Sequence, residues 1–303
     1  MRLDLATVLA QWAAGGLAFC WVTTRHRVLG LGYGWLLRAA FAAMALGAAA
    51  AGIADPDHGT AAGVRDLACI VMALLAIAAL VSSVHRRQAG VSGQAKQREQ
   101  HRARVREMLG RSTAQLADAA DERAAPRRSG AATARRPPKE FAPALDLLAP
   151  VAGVIALLAA ADVAGGSYPL AAARLLVGAA FLGAVTDAML LGHWYLVQPG
   201  LSRDPLKELV RWSAWLWPLE VALLLVPPGM TRVLDGTIDD GYGGLLGITW
   251  IVSALTTIAL LGVTWLALKE RFYSAVMAAT GLLYLAILTA FGTDVLARAL
   301  LAS

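Results

Sequence analysis

Residues 64–84 read VRDLACIVMALLAIAALVSSV, and residues 85–142, which follow directly, hold 14 basic and 6 acidic side chains. No residue from Leu67 to Val84 is charged. The hydrocarbon core of a bilayer is about 30 Å thick and is crossed by roughly 20 apolar residues in a helix. The first stretch therefore predicts a transmembrane helix. Basic loops remain in the cytoplasm, so the second stretch predicts that this helix ends at the cytoplasmic face.

Seven further stretches have the same apolar character and a similar length. They do not alternate between polar and apolar residues, as the strands of a membrane barrel do. A helix also satisfies its own backbone hydrogen bonds in lipid. The sequence therefore predicts an all-α fold, a polytopic integral membrane helical bundle of about eight transmembrane helices. The predicted segments are 6–22, 33–54, 64–84, 143–163, 171–197, 209–226, 245–268 and 272–300.

The composition of the whole chain agrees with a lipid environment. Of its 303 residues, 58% are apolar and 16% are charged, and its mean hydropathy is +0.58. Soluble domains have about 45–50% apolar and about 25% charged residues, so an ordinary cytosolic enzyme or a disordered regulator is excluded. No aromatic residue interleaves the basic run, which argues against nucleic-acid binding. Arginine far outnumbers lysine and alanine is abundant, a bias that suggests a GC-rich bacterial genome.

Basic residues concentrate in alternate loops. Because positively charged loops remain in the cytoplasm, the loops after the first, third, fifth and seventh segments are predicted to be cytoplasmic. Both termini are then outside, and the predicted location is the cytoplasmic (inner) membrane. The deciding basic groups are Arg25, Arg27, the 85–142 loop with its net charge of +8, Arg203, Lys207, Arg211, Lys269 and Arg271. The intervening loops contain Asp55, Asp57, Asp235, Asp239 and Asp240.

The chain divides into three parts on this pattern. Residues 1–85 contain transmembrane helices one to three, residues 86–142 form the long basic cytoplasmic loop, and residues 143–303 contain helices four to eight. Within the loop, 94–125 predicts an amphipathic helix and the Pro-, Gly- and Ser-containing stretch 126–138 a flexible tether. Two interpretations of the loop stay open: it contacts anionic lipids, or its charge only fixes the topology.

Two carboxylates lie inside the predicted fifth and sixth segments. Asp187 is about ten residues and Glu220 about eleven residues from the cytoplasmic end of its segment, which places both ~15 Å deep. Consecutive helices are antiparallel, so we expect the two side chains to face each other near the midplane. Charged residues in hydrocarbon are functional candidates, and this pair suits proton or cation binding. Pro218 removes one backbone donor just before Glu220, as in the broken helices of transporters.

Residues 186–200 read TDAMLLGHWYLVQPG and contain the densest polar motif of the chain. Helical spacing predicts that Thr186 and His193 share one stripe and that His193 and Asp187 flank the same interior face. His193 is a candidate for a proton relay to Asp187, and alternatively for a haem ligand. Trp194 and Tyr195 line the same region, although such aromatics also form the belt at a membrane interface.

Three further patterns bear on function. The tryptophans Trp212, Trp215 and Trp217 are candidates for stacking on a flat ligand such as a quinone, or else pack and form a belt. Asp294 and Arg298 are spaced i,i+4 and are expected to pair. The pairs Trp21 and Trp194, and Arg38 and Arg211, are each 173 residues apart. Since the first and fifth segments also share a direction, a parallel duplication of four helices is one interpretation.

Three functional hypotheses follow from these residues. The first is a proton- or cation-coupled carrier of small solutes, or a permease subunit, that uses the mid-membrane carboxylates. The second is a haem- or quinone-associated subunit of a respiratory complex. The third is a non-catalytic structural or assembly subunit, and the last two imply partner membrane subunits. No familiar catalytic motif occurs, so an enzyme is the less favoured class; no metal site is predicted, and haem is the one cofactor considered.

Overall fold

A computed structural model describes residues 4–55, 59–89, 91, 103, 140–198, 201–226, 229–270 and 272–302. Within these ranges the chain is helical, with turns and no strand. Eight long helices account for most of it. They are α1 (Leu5–Thr24), α2 (Leu31–Ile53), α3 (Thr60–His85), α4 (Leu148–Val163, after a 3-10 turn at Pro143–Leu147), α5 (Tyr168–Val197), α6 (Asp204–Leu225), α7 (Leu245–Ala267) and α8 (Tyr273–Ala302).

Seven of these helices are long and apolar enough to cross a membrane, and α6 is the exception. The prediction of an all-helical fold is therefore confirmed, and these seven helices are consistent with a multi-pass membrane protein. The helix α6 has 22 residues, but it begins with Asp204, Lys207 and Glu208 and contains three tryptophans and Glu220. These residues lower its mean hydropathy, so its length and composition alone do not identify it as a span.

Side-chain carboxylates begin two of the helices. Asp4 accepts hydrogen bonds from the backbone N–H groups of Ala6 and Thr7 at the start of α1. Before α7, both carboxylate oxygens of Asp240 accept backbone N–H groups of the 242–247 segment, including those of Gly244 and Leu246, each at 2.8 Å. These bonds favour the ionised form and lower the pKa of Asp240, with the bond from Gly244 as the largest cause. Asp240 therefore stabilises the start of α7 at neutral pH, and this contribution is lost as the pH falls through its lowered pKa.

The helices form two units of four with the same pattern of neighbours. In the first unit α1 packs on α2, α2 on α3, α3 on α4, and α4 on α1. In the second unit α5 packs on α6, α6 on α7, α7 on α8, and α8 on α5. The contact between α1 and α5 joins the units. The last residues of α1 and α5, Thr24 and Val197, are also 173 positions apart, and so are the first residues of α2 and α6, Leu31 and Asp204. This repetition agrees with the duplication interpretation.

The two central helices, α1 and α5, touch backbone to backbone. A Cβ atom on Gly15 would overlap the carbonyl group of Ala179, and one on Gly183 would overlap the backbone of Gly15. Since Gln11 lies over Gly178 and Gly15 over Gly183, the two helices run parallel. Small residues permit this close approach, which is a common way for helices to associate in lipid.

Contacts between the helices define two ends of the bundle. Arg298 near the end of α8 donates to Gln11 near the start of α1, so the described chain begins and ends at one end, here called the terminal end. The opposite end holds the end of α3 and the start of α4 and is called the loop end. There Arg38 forms a bidentate ion pair with Asp146, at 2.7 Å for both hydrogen bonds. The predicted amphipathic helix at 94–125 and the tether at 126–138 lie outside the described residues, apart from residue 103.

We predict that Gly183→Ala lowers the free energy of unfolding by about 1–3 kcal/mol, the usual cost of overpacking. The added Cβ meets backbone that cannot move aside without separating α1 from α5. The matched control is Gly262→Ala on α7, where a Cβ has nothing within 4 Å and alanine favours the helix. Unfolding of the detergent-solubilised variants by denaturant measures both effects. If Gly183→Ala and Gly262→Ala are equally stable, the close backbone contact between α1 and α5 is contradicted.

Candidate functional site

Glu220 lies fully inside the bundle, on α6 where that helix contacts α5. Its side chain is about 1% exposed. Its Oε1 atom lies 3.3 Å from the point where a Cβ of Gly178 would stand. Neither carboxylate oxygen has a hydrogen-bond partner within the described part of the chain. The absence of a side chain at Gly178 therefore makes the space that Glu220 occupies.

Gln11 approaches the same space from α1. A Cβ on Gly178 would overlap its Nε2 atom. That nitrogen is a buried donor without a partner among the described residues, while Oε1 of Gln11 accepts a hydrogen bond from Arg298. An unpaired donor and an unpaired carboxylate thus converge over one glycine. Buried polar groups of this kind are normally bonded, often through an ordered water.

Charges from α5 and α8 surround this point. Arg298 donates through Nε to Asp294 at 2.9 Å, which confirms the i,i+4 pair expected from the sequence. Arg174, one helical turn before Gly178, donates to the carbonyl oxygens of Leu223 at 2.9 Å and Val226 at 2.7 Å. These carbonyls belong to the end of α6, where a cation is favoured. The buried cluster thus combines two arginines with two carboxyl groups, and it lies roughly 10 Å from the terminal end.

Asp187 is a second buried carboxylate, on α5 toward the loop end. It has no exposed surface, and neither of its carboxylate oxygens has a partner within the described residues. Its backbone carbonyl accepts a hydrogen bond from the hydroxyl of Tyr33 at 3.3 Å. Its neighbour Thr186 donates to Leu182 at 2.6 Å and accepts from Trp12 at 2.8 Å. The hydroxyl of Thr186 therefore holds α1 and α5 together.

The expectation that Asp187 and Glu220 face each other at one depth is wrong. Glu220 lies beside Gly178, and Asp187 is nine residues further along the same helix, which is about 13 Å along its axis. Glu220 belongs to the terminal half of the bundle and Asp187 to the loop half. The cause is that α6 begins at Asp204, earlier than the predicted segment, so Glu220 is further from the loop end than was counted.

His193 does not share an interior face with Asp187, as its spacing had predicted. It is exposed on the surface of α5, and its Nδ1 lies 3.2 Å from the hydroxyl of Tyr284 on α8. Trp194 donates to Gln198 at 3.2 Å, and its ring lies tilted against that of Tyr33, with 6.1 Å between the ring centroids. The hydroxyl of Tyr195 donates to the carbonyl of Ser202 at 2.6 Å. The bond from Tyr195 therefore ties α5 to the loop-end turn before α6, and His193 and Trp194 contact α8 and α2.

The three tryptophans of α6 do not converge on one surface. Trp212 and Trp215 are exposed, with 44% and 69% of their surface accessible. Trp217 turns toward α7, where its indole donates to the carbonyl of Ala254 at 2.9 Å. A flat ligand would thus contact Trp212 and Trp215 only from outside the bundle.

Gln11 was not singled out from the sequence, and Arg174, which the sequence places beside the turn between α4 and α5, was not counted among the candidate site residues. An amide within an apolar segment is the signal that could have identified Gln11. Comparisons with protein-family models, curated proteins and solved structures found no match to this chain. Over the described ranges, no group of three or more His, Cys, Asp or Glu side chains is arranged to hold a metal ion.

We predict that Arg298→Met lowers the free energy of unfolding by about 3–5 kcal/mol, the usual cost of removing one partner of a buried ion pair. The change leaves Asp294 without its cation and Gln11 without its donor. The double variant Arg298→Met/Asp294→Leu should recover most of the loss, because both charges are gone. Equilibrium unfolding in detergent of the wild type, the two single variants and the double variant measures this double-mutant cycle. If the losses of unfolding free energy in the two single variants add up in the double variant, the two side chains do not interact.

Proposed function

We propose that this protein is a proton-coupled carrier of small solutes in which Glu220 and Asp187 bind the coupling proton. The observation that supports it is the pair of fully buried carboxyl groups whose oxygen atoms lack partners among the described residues. An ionised carboxylate without a partner is very costly in an apolar interior, so such a group takes up a proton instead. Each site can therefore exchange a proton when water or a cation reaches it.

The positions of the two groups support a stepwise transfer. Glu220 lies toward the terminal end beside Gln11, Arg174 and Arg298, and Asp187 lies about 13 Å away toward the loop end. Both border the contact between the two four-helix units. Carriers built from repeated units bind solute and coupling ion at the interface between the units and move one unit against the other. In this proposal the proton binds Glu220 from one side of the membrane and leaves Asp187 to the other.

We further propose eight membrane crossings in the cytoplasmic membrane, with the terminal end outside. The helix α6 runs antiparallel to α5 and to α7: Glu220 lies beside Gly178, and Trp217 bonds to Ala254. Since α5 and α7 are both apolar enough to span, the α6 helix between them crosses as well. The described ends of the basic 85–142 loop, Arg203 and Lys269 all lie at the loop end, which the positive-inside rule assigns to the cytoplasm.

This topology predicts the labelling of single cysteines by a membrane-impermeant maleimide in intact spheroplasts. In a background with Cys20→Ala and Cys69→Ala, Ser167→Cys and Thr237→Cys should react from outside. Ser129→Cys and Ser202→Cys should react only after the membrane is permeabilised. Ser202 and Thr237 flank α6, so labelling of both from one side would refute the crossing of that helix.

The carrier hypothesis predicts that Asp187→Asn and Glu220→Gln each slow solute-driven proton movement by roughly 100-fold, the usual effect of removing a positioned proton-transfer group. The assay uses proteoliposomes with an internal pH dye and a panel of small organic anions, cations and neutral solutes. Infrared spectroscopy of the same samples should show the carbonyl band of a protonated carboxyl group, reduced in each variant. This second readout does not depend on knowing the solute.

The matched control is Glu208→Gln, which removes a carboxylate from the same helix as Glu220. Glu208 lies near the loop end and pairs with Arg25 and His26, so its loss should leave proton movement unchanged. Wild-type rates in both Asp187→Asn and Glu220→Gln would refute the carrier. Loss of folded protein in both would favour the structural hypothesis. A haem absorption band that His193→Ala abolishes would favour the redox hypothesis.

A further inference from the structure

A pocket of about 260 Å³ opens at the terminal end, next to the turn between α4 and α5. Its charged lining residues within the described chain are Arg174 and Arg232, and none of the described lining residues is acidic. Arg174 is buried to 5% exposure, while Arg232 follows α6 and is exposed. Two guanidinium groups on one small pocket favour an anion. Arg232 carries a planar fork of donors that fits a carboxylate. Arg174, which donates to the carbonyls of Leu223 and Val226, adds its positive charge.

The start of α5 adds to the positive potential of this pocket. Ser167 and Leu170 line it, and the side chain of Ser167 makes no capping hydrogen bond to the helix. The first backbone N–H groups of a helix have no partner within the helix, and they carry the positive end of its dipole. A helix of 30 residues thus directs its N-terminal end toward the space that the two arginines border.

The rest of the lining is apolar and limits the size of the ligand. Leu170, Ile238 and Leu301 contribute this surface. The volume is just below the range of about 300–1,000 Å³ that is typical of sites for drug-sized ligands. An inorganic anion would leave the apolar surface without a contact. A small organic acid would use the arginines and the apolar side chains together.

We propose that this pocket binds a small organic anion that carries a carboxylate and an apolar body. The proposal rests on the proposed function and names its solute class, since Arg174 lies one helical turn from Gly178, where Glu220 is held. One turn of helix is about 5.4 Å. The anion therefore binds about one helical turn closer to the terminal end than Glu220. Its negative charge is balanced by the proton that Glu220 takes up.

Isothermal titration of the full-length protein in a nonionic detergent tests the proposal with benzoate as the probe. Benzoate should bind saturably, and benzamide, its neutral counterpart, should not. Arg232→Gln should raise the Kd for benzoate about tenfold or more, which corresponds to ~1.4 kcal/mol. Arg232→Lys should recover part of the affinity. The control is Lys269→Gln, which removes the same charge from an exposed site at the loop end and should leave the Kd unchanged.

Each remaining outcome decides against the proposal. The absence of benzoate binding to folded protein, or equal affinity in wild type and Arg232→Gln, overturns it. Binding of inorganic phosphate with the same dependence on Arg232, but not of benzoate, would assign the pocket to an inorganic anion. If phosphatidylglycerol added to the micelles displaces benzoate, and free benzoate no longer binds the lipid-supplemented protein, the pocket is a site for a lipid headgroup. Isothermal titration measures benzoate binding without any proton movement across a membrane, so failure of anion binding and failure of proton coupling are distinguished.

Discussion

The backbone contact between α1 and α5 is the constraint on which the rest of the structure depends. Lipid gives helices no hydrophobic reason to associate, so close packing and internal hydrogen bonds hold a bundle together. Gly15 and Gly183 allow that packing, and the contact joins the two four-helix units. The polar groups follow from it: Gln11 lies one turn before Gly15, and Asp187 lies one turn after Gly183. The candidate site is thus a property of the interface between the units.

The sequence predicted those parts of the fold that local composition determines. Apolar length identified the helices, because it depends on the solvent around each segment. The sides on which the loops lie stay a prediction from their charge. The pair of Asp294 and Arg298 was also predictable, since i,i+4 neighbours on a helix meet wherever the helix lies. The helix α6 is the partial exception. Its first turns are charged, so the apolar pattern begins five residues after the helix does. The predicted distance of Glu220 from the loop end is therefore too short.

The site itself depends on contacts between distant residues, which composition does not encode. Gln11 and Arg298 meet although they are 287 residues apart. The exposed position of His193 was equally hidden, because α5 is apolar on every side and its sequence does not indicate which face turns inward. Thr186 was identified as a site candidate, but its hydroxyl bonds to Leu182 and Trp12. Spacing along one helix predicts candidate residues but not their surroundings.

The glycine contact has a second consequence. It lies between Glu220 and Asp187, and the backbones of α1 and α5 touch there too closely to admit even a methyl group. A chain of water molecules has no room between the two backbones at this point. The contact that unites the two halves therefore also separates the two carboxyl groups along α1 and α5. In the proposed carrier, a proton does not pass along this contact while the two helices remain together, so conduction by that route requires the halves to part.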